Sequence, residues 1–174
     1  MKRIIFLISL FSLLMLQPSM AQLPKNRTTA TVIADALSQL PASNGKKYNQ
    51  VISELVLTGE EGLLQLVGML NPPEVGKNAT VEFALSGWTH FSATDAALRE
   101  MTAKAYLKAL DMTQNKVHKA FIIRQLELVG EAESIDKLVS YLTDAELVNP
   151  AAQALVAMDT PEAKKALLEA LRRA

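Results

Sequence analysis

The chain has 174 residues, 49% of them hydrophobic, with only 7 glycines and 7 prolines, a composition that argues against disorder and suits one folded domain. Lysine plus arginine and aspartate plus glutamate number 18 each, so the overall charge gives no reason to expect electrostatic capture of nucleic acid or of an anionic membrane surface. Cysteine is absent, which excludes disulfide bonds, thiolate metal sites and a cysteine nucleophile.

The amino-terminal segment has the three parts of a secretory signal peptide. Lys2 and Arg3 precede an apolar run over residues 4–16, and Ser19-Met20-Ala21 supplies the small residues of a cleavage site. A helix that crosses a hydrocarbon core needs about 20 residues, and this run is shorter. We therefore favour a cleaved signal peptide over the alternative interpretation, a retained membrane anchor.

The residue after the cleavage site indicates whether the exported protein would carry a lipid anchor. A bacterial lipoprotein signal has cysteine at this position, whereas this chain has Gln22, so lipid anchoring is not expected. The sequence predicts a signal peptide over residues 1–21 and one helical repeat domain over residues 22–174. That domain is expected in the periplasm or outside the cell, with no membrane span after cleavage.

Beyond the signal peptide, apolar residues recur at the i, i+3, i+4 and i+7 spacing of amphipathic helices, and no comparable segment alternates with the period of a strand. The spacing predicts an all-α fold of about nine short helices. In chain order, the apolar stripes are Ile33, Ala36, Leu37 and Leu40; Tyr48, Val51, Ile52, Leu55 and Val56; Leu63, Leu66, Val67 and Leu70; Val81, Ala84, Leu85 and Trp88; Ile135, Leu138, Val139 and Leu142; and Ala163, Ala166, Leu167, Ala170 and Leu171.

A further helix is predicted over residues 116–129, and its apolar positions are broader than one stripe. Neighbours are therefore expected to cover it on two faces, in the middle of the helical array. Gly59 and Gly130 follow apolar helical runs and are predicted to end helices in the left-handed conformation. The two apolar sides of the 116–129 helix are formed by Val117, Phe121 and Leu128, and by Ile122, Leu126 and Val129.

Three helix starts are predicted from capping residues. Asn149-Pro150 and Thr160-Pro161 each place an N-cap residue before a proline at the first helical position. Ser92 with Asp95 three residues later is predicted to form a capping box for a long helix over residues 93–110.

Two parts of the chain match each other at an offset of about 71 residues. Residues 55–60, LVLTGE, match residues 126–131, LELVGE, and the similarity continues to Ala84-Leu85 and Ala154-Leu155. This offset holds two units of roughly 35 residues, each a helical hairpin that cannot bury its apolar stripe alone and so stacks on its neighbours. The pattern predicts an α-solenoid.

Two segments near the carboxyl terminus, residues 149–155, NPAAQAL, and residues 160–163, TPEA, resemble HEAT repeats of the short bacterial kind. The resemblance covers roughly residues 46–171 and implies a right-handed α-solenoid of stacked antiparallel helical hairpins. Many such repeats carry a basic residue at the start of the second helix, where Lys77 is the nearest residue here. Exported segments of this kind are also similar to the amino-terminal parts of larger bacterial proteins with a 3-keto-disaccharide hydrolase-like domain.

The residues that carry catalytic or metal chemistry are few and poorly spaced. His90 and His118 are the only histidines, and neither has a spacing that would hold zinc on one helical face. No nucleophile elbow, phosphate-binding loop or paired carboxylates in a cleft is recognisable. We expect no catalytic site, metal or cofactor. His118, next to two lysines, is expected on a solvated helix face.

The predicted function is a non-catalytic scaffold or interaction module that binds another protein or a cell-envelope component through a solenoid surface. Nucleic acid is not expected, since aromatic residues make up only 5% of the chain. Trp88 and His90, predicted in a loop, could form an aromatic patch, but we favour the alternative interpretation, a helix end with Trp88 in the core and His90 in water. The other predicted function is the helical part of a truncated carbohydrate-active exported enzyme. The predicted surface consists of Lys77, Glu82, Trp88, His90 and Gln153.

Overall fold

The computed structural model describes residues 27–172, so the predicted signal peptide lies outside the described residues. Between residues 27 and 172 the fold is all-α, with nine α-helices, one 3-10 turn at Ala132–Ser134 and no strand. None of these helices is both long and apolar enough to cross a membrane. The helices are α1 Thr29–Ser38, α2 Gly45–Val56, α3 Gly59–Gly68, α4 Ala79–Ser92, α5 Ala96–Met112, α6 Lys116–Val129, α7 Ile135–Ser140, α8 Val148–Met158 and α9 Pro161–Leu171.

The helices lie in two rows. The odd-numbered row contains α1, α3, α5, α7 and α9, and the even-numbered row contains α2, α4, α6 and α8. In the even-numbered row each helix contacts the next one. In the odd-numbered row α1 contacts α3, α3 contacts α5 and α7 contacts α9, while α5 contacts the 3-10 turn that leads into α7. Most helices that are consecutive in sequence also touch, so each row covers the apolar side of the other.

Residues matched by the internal similarity occupy corresponding places in the core. Leu55 of α2 and Leu126 of α6 are both fully buried. Ala84-Leu85 of α4 and Ala154-Leu155 of α8 are also fully buried in the same row. Burying one leucine side chain completely contributes about 2 kcal/mol, so these positions favour the same helix orientation in both halves.

A buried chain of polar side chains joins α4 to α5. The Trp88 Nε1–H donates to Thr102 Oγ1 over 3.1 Å, and Thr102 Oγ1 donates to Ser92 Oγ over 3.0 Å. One turn away, the hydroxyls of Thr89 and Tyr106 lie 2.7 Å apart. All five side chains are fully buried, so these bonds fix how α4 is placed against α5.

Two predicted helix starts are wrong and one is confirmed. Ser92 is a buried residue at the end of α4, and Asp95 alone caps α5, accepting a hydrogen bond from the Leu98 N–H at 2.9 Å. The long helix consequently begins three residues later than predicted. α8 begins at Val148, so Asn149 is not its N-cap and Pro150 is not its first residue. Pro150 is tolerated there because the N–H groups of the whole first turn have no helical partner. Thr160 caps α9 as predicted.

The two glycines predicted to be left-handed differ in conformation. Gly59 has the predicted left-handed conformation, with φ +64°, but it begins α3 instead of ending α2, which ends at Val56. Gly130 has φ −58°, so the prediction is wrong there. A Cβ at Gly130 would lie 2.5 Å from the Leu126 carbonyl oxygen, and this close approach is what favours glycine.

Candidate interaction surface

Trp88 and His90 do not form a surface patch. Residues 87–91 belong to α4 rather than to a loop, and Trp88 is 0% exposed. His90 is exposed, and its Nδ1 lies 2.8 Å from the Ser86 carbonyl oxygen one turn earlier. The favoured interpretation, a helix end with Trp88 in the core and His90 in water, is confirmed, and Trp88 does not belong to the predicted surface.

The remaining predicted surface residues lie in or next to the even-numbered row. Glu82 is half-buried in the first turn of α4, His90 is exposed near the end of the same helix, and Gln153 is exposed on α8. α6 contacts both α4 and α8. Glu82 and His90 are thus separated from Gln153 by a helix that none of the predicted surface residues occupies.

Lys77 lies in the loop between α3 and α4, exposed, with φ 65°. The ends of this loop are fastened by Asn78, whose side-chain oxygen accepts from the Asn71 N–H at 2.7 Å and whose amide donates to the Asn71 carbonyl at 2.9 Å. His118 of α6 is half-buried, with Nε2 2.8 Å from the same carbonyl. The prediction of a solvated His118 is therefore wrong, since this side chain ties the loop to α6.

α6 has an exposed stripe on the side away from the odd-numbered row. Ile122, Leu126 and Val129 are buried as predicted, but Val117 is 55% and Leu128 46% exposed. Within residues 27–172 no helix covers this side, so the prediction of neighbours on two faces is only half right. The stripe consists of Val117, half-buried Phe121, exposed Arg124 and Leu128.

Apolar residues continue on the helices beside α6. On α4, Phe83 is 43% exposed and its ring centroid lies 5.4 Å from that of Tyr48 of α2. Burial raises the pKa of Tyr48 above its ordinary value. On α8, Val156 is 65% exposed. We define the α4/α6/α8 surface as Glu82, Phe83, His90, Val117, Phe121, Arg124, Glu127, Leu128, Gln153 and Val156.

The charges of the α4/α6/α8 surface have no ion-pair partner among residues 27–172. This is true of Glu82, Arg124 and Glu127, whereas Lys116 at the amino end of α6 pairs with Asp144 and Glu146. Exposed apolar residues therefore surround charges of both signs that have no ion-pair partner in the described part of the chain.

The central helix of the odd-numbered row, α5, has the opposite character, because all five of its charged side chains are in ion pairs. Glu60 of α3 pairs with Lys108 of α5 over 2.6 Å, and Arg99 of α5 pairs with Glu131 before the 3-10 turn over 2.7 Å. Such exposed pairs contribute little to stability, but they give the charges of α5 partners within the chain.

An open groove of about 490 Å³ lies between α5 and α7. Lys137 on its wall pairs with Asp111, and the hydrogen bond to that carboxylate raises the pKa of Lys137. Over the described part of the chain, no group of three or more histidine, aspartate or glutamate side chains is placed to hold a metal ion. The groove is lined by Leu107, Asp111, Glu133, Asp136, Lys137 and Ser140.

Comparison of the chain with known protein families, with curated proteins and with solved structures finds no match. The resemblance to HEAT repeats and to the helical parts of hydrolase-like proteins therefore stays a prediction, and the surface is interpreted from its own geometry.

The sequence of α6 contains a signal for the exposed stripe. Apolar spacing alone predicts that Val117, Phe121 and Leu128 form one side of the helix and that neighbours cover it. Arg124 falls on the same side, 300° or about one turn from Phe121, and an arginine inside an apolar stripe is the feature that separates a surface stripe from a core one.

Proposed function

We propose that this protein is a non-catalytic interaction module built as a right-handed α-solenoid, and that it binds another protein or a cell-envelope component through the α4/α6/α8 surface. The two-row order of the helices supports the solenoid, because contacts run mainly to helices one or two places away. The repeat offset supports it too, because it relates α2 to α6 and α4 to α8.

The observation that carries the proposal is the difference between α5 and α6, the central helices of the two rows. The odd-numbered row joins its helices by ion pairs across their exposed sides. α6 instead exposes Val117 and Leu128 beside Arg124, which has no ion pair within residues 27–172, and Val156 is exposed on the neighbouring α8. Covering a half-exposed valine or leucine contributes about 1 kcal/mol, so a partner that fits this row gains free energy from several residues at once.

Export is part of the proposal and rests on the sequence of residues 1–21, with its basic start, apolar run and small residues before Gln22. The partner would then be met outside the cytoplasm, in the periplasm or beyond the cell. A module of this kind acts by holding its partner in place, so its residues are selected for shape and for charge rather than for chemistry.

Site-specific photo-crosslinking in the cells that make the protein tests the proposal. We would replace Val117 by p-benzoylphenylalanine on the α4/α6/α8 surface, and Lys104 by the same residue on the odd-numbered row as a matched control. Both positions are exposed and lie on long helices. After irradiation, the mass of each crosslinked product is measured.

We expect a discrete product from the Val117 position that is at least several times stronger than any product from the Lys104 position. Equal labelling at the two positions, or no discrete product at Val117, would mean that the α4/α6/α8 surface is not the binding surface. Circular dichroism of both variants checks that the helices are retained.

A further inference from the structure

We infer that the partner seated on the centre of the α4/α6/α8 surface is a second copy of this chain, with α6 packed antiparallel against α6 of the second copy about a two-fold axis. The inference rests on the proposed function, because it names the occupant of the same surface. Homodimers with two-fold symmetry place the same patch of both subunits in contact, so the patch must complement itself.

The spacing of the α6 stripe has this property. Val117, Phe121, Arg124 and Leu128 follow one another at intervals of 4, 3 and 4 residues, an order that is the same in both directions along the helix. If the axis passes between residues 122 and 123, Val117 faces Leu128 of the second copy and Phe121 faces its Arg124. By the two-fold symmetry, the contact between Val117 and Leu128 and the contact between Phe121 and Arg124 each occur twice.

The charge on the stripe selects the antiparallel arrangement. In a parallel pair, Arg124 would face Arg124 of the second copy, and two like charges would be brought together. In the antiparallel pair the guanidinium lies over the ring of Phe121, an attractive cation–π contact for an arginine that has no ion pair within residues 27–172.

The flank of the stripe fits the same arrangement. Ala120 and Glu127 lie beside the stripe on one side of α6, and about the same axis Glu127 is level with residue 118 of the second copy, about two residues from its Ala120 and about nine residues from its Glu127. The small Ala120 side chain leaves room for the two helices to approach, and no carboxylate is placed against another. A surface with unpaired charges of both signs does not repel its own copy, in contrast to a surface of one sign.

The absence of cysteine allows a clean test by disulfide formation. A tagged Val117→Cys chain is mixed with an untagged Leu128→Cys chain, and the purified proteins are oxidised. In the antiparallel pair these two positions face each other, whereas two copies of Cys at residue 117 are about 16 Å apart along the helix axis. A disulfide needs Cα atoms within about 7 Å.

The matched control uses Ala97→Cys and Lys108→Cys on α5. These exposed positions have the same separation of 11 residues and belong to the odd-numbered row. We expect the mixed Val117→Cys and Leu128→Cys disulfide to exceed the mixed control disulfide at least tenfold, with little disulfide from either α6 variant alone. A mixed yield equal to the control, or a Val117→Cys homodimer of equal yield, overturns the inference.

A second measurement does not depend on cysteine. Analytical ultracentrifugation of Arg124→Ala should show dimerisation about 5- to 30-fold weaker than in the unsubstituted protein, because two symmetric cation–π contacts are lost. An unchanged dissociation constant, or a monomer at every concentration before substitution, contradicts the inference. If the photo-crosslinked product at residue 117 then has a mass other than twice that of the chain, the proposed function stands and only its occupant is wrong.

Discussion

The buried hydroxyl of Thr102 gives the sharpest test of the packing between α4 and α5. It is fully buried, accepts from the Trp88 Nε1–H at 3.1 Å and donates to Ser92 Oγ at 3.0 Å. Thr102→Val keeps the shape of the side chain and removes both hydrogen bonds. The indole N–H is then left buried without an acceptor.

The expected cost follows from these two bonds. A buried donor that loses its partner costs about 1–3 kcal/mol, so we expect Thr102→Val to lower the free energy of unfolding by about 2 kcal/mol. With a dependence on urea of about 2 kcal/mol per molar, the midpoint falls by about 1 M. Thr102→Ser keeps the hydroxyl and removes one methyl group, so it should cost only about 1 kcal/mol.

Urea denaturation followed by tryptophan fluorescence measures this difference directly, because Trp88 is the only tryptophan of the chain and is 0% exposed. The emission of the folded protein should be that of an indole shielded from water. If Thr102→Val is as stable as the unsubstituted protein, or more stable than Thr102→Ser, the hydrogen bonds of Thr102 do not stabilise the packing of α4 against α5, and the prediction is wrong.

Three further predictions concern stability. Burial raises the pKa of Tyr106 above its ordinary value of 10.0, so above pH 10 only the unfolded chain loses this proton, and the free energy of unfolding should fall by up to about 1.4 kcal/mol per pH unit. Urea midpoints of Tyr106→Phe between pH 9 and 11.5 should show a smaller fall, and an identical pH profile would contradict the assignment. Gly87→Ala should cost about 1–3 kcal/mol, because its Cβ would lie 2.4 Å from the Tyr48 hydroxyl. Gly68→Ala, which meets no atom within 4 Å, should not destabilise, and thermal melts that rank the two in the opposite order would be inconsistent with this packing. Thr160→Ala removes the cap of α9 and should cost about 1 kcal/mol in thermal melts, whereas Thr160→Ser should cost less.

The candidate surface was only partly predictable from sequence. The repeat pattern predicts Lys77, Glu82 and Gln153 on the second helices of the hairpins; Glu82 and Gln153 do lie on α4 and α8, whereas Lys77 lies in the loop before α4. Trp88 is a candidate for that surface only if residues 87–91 form a loop, and because α4 continues through them Trp88 lies in the core. Arg124 is absent from the predicted surface, because helical spacing indicates which residues share a side of a helix but not whether a neighbouring helix covers that side.

Periodicity by itself determined that the described part of the chain is all-α, and the approximate bounds it predicts for α6 agree with the structure, because local spacing of apolar side chains decides which segments can bury a stripe. Capping residues predicted only some of the helix starts. Asp95 and Thr160 act as caps, while Ser92 prefers a buried partner on the next helix that no local pattern contains. The tertiary structure alone decided which side of α6 stays open to solvent, because that depends on helices far apart in sequence meeting across the two rows.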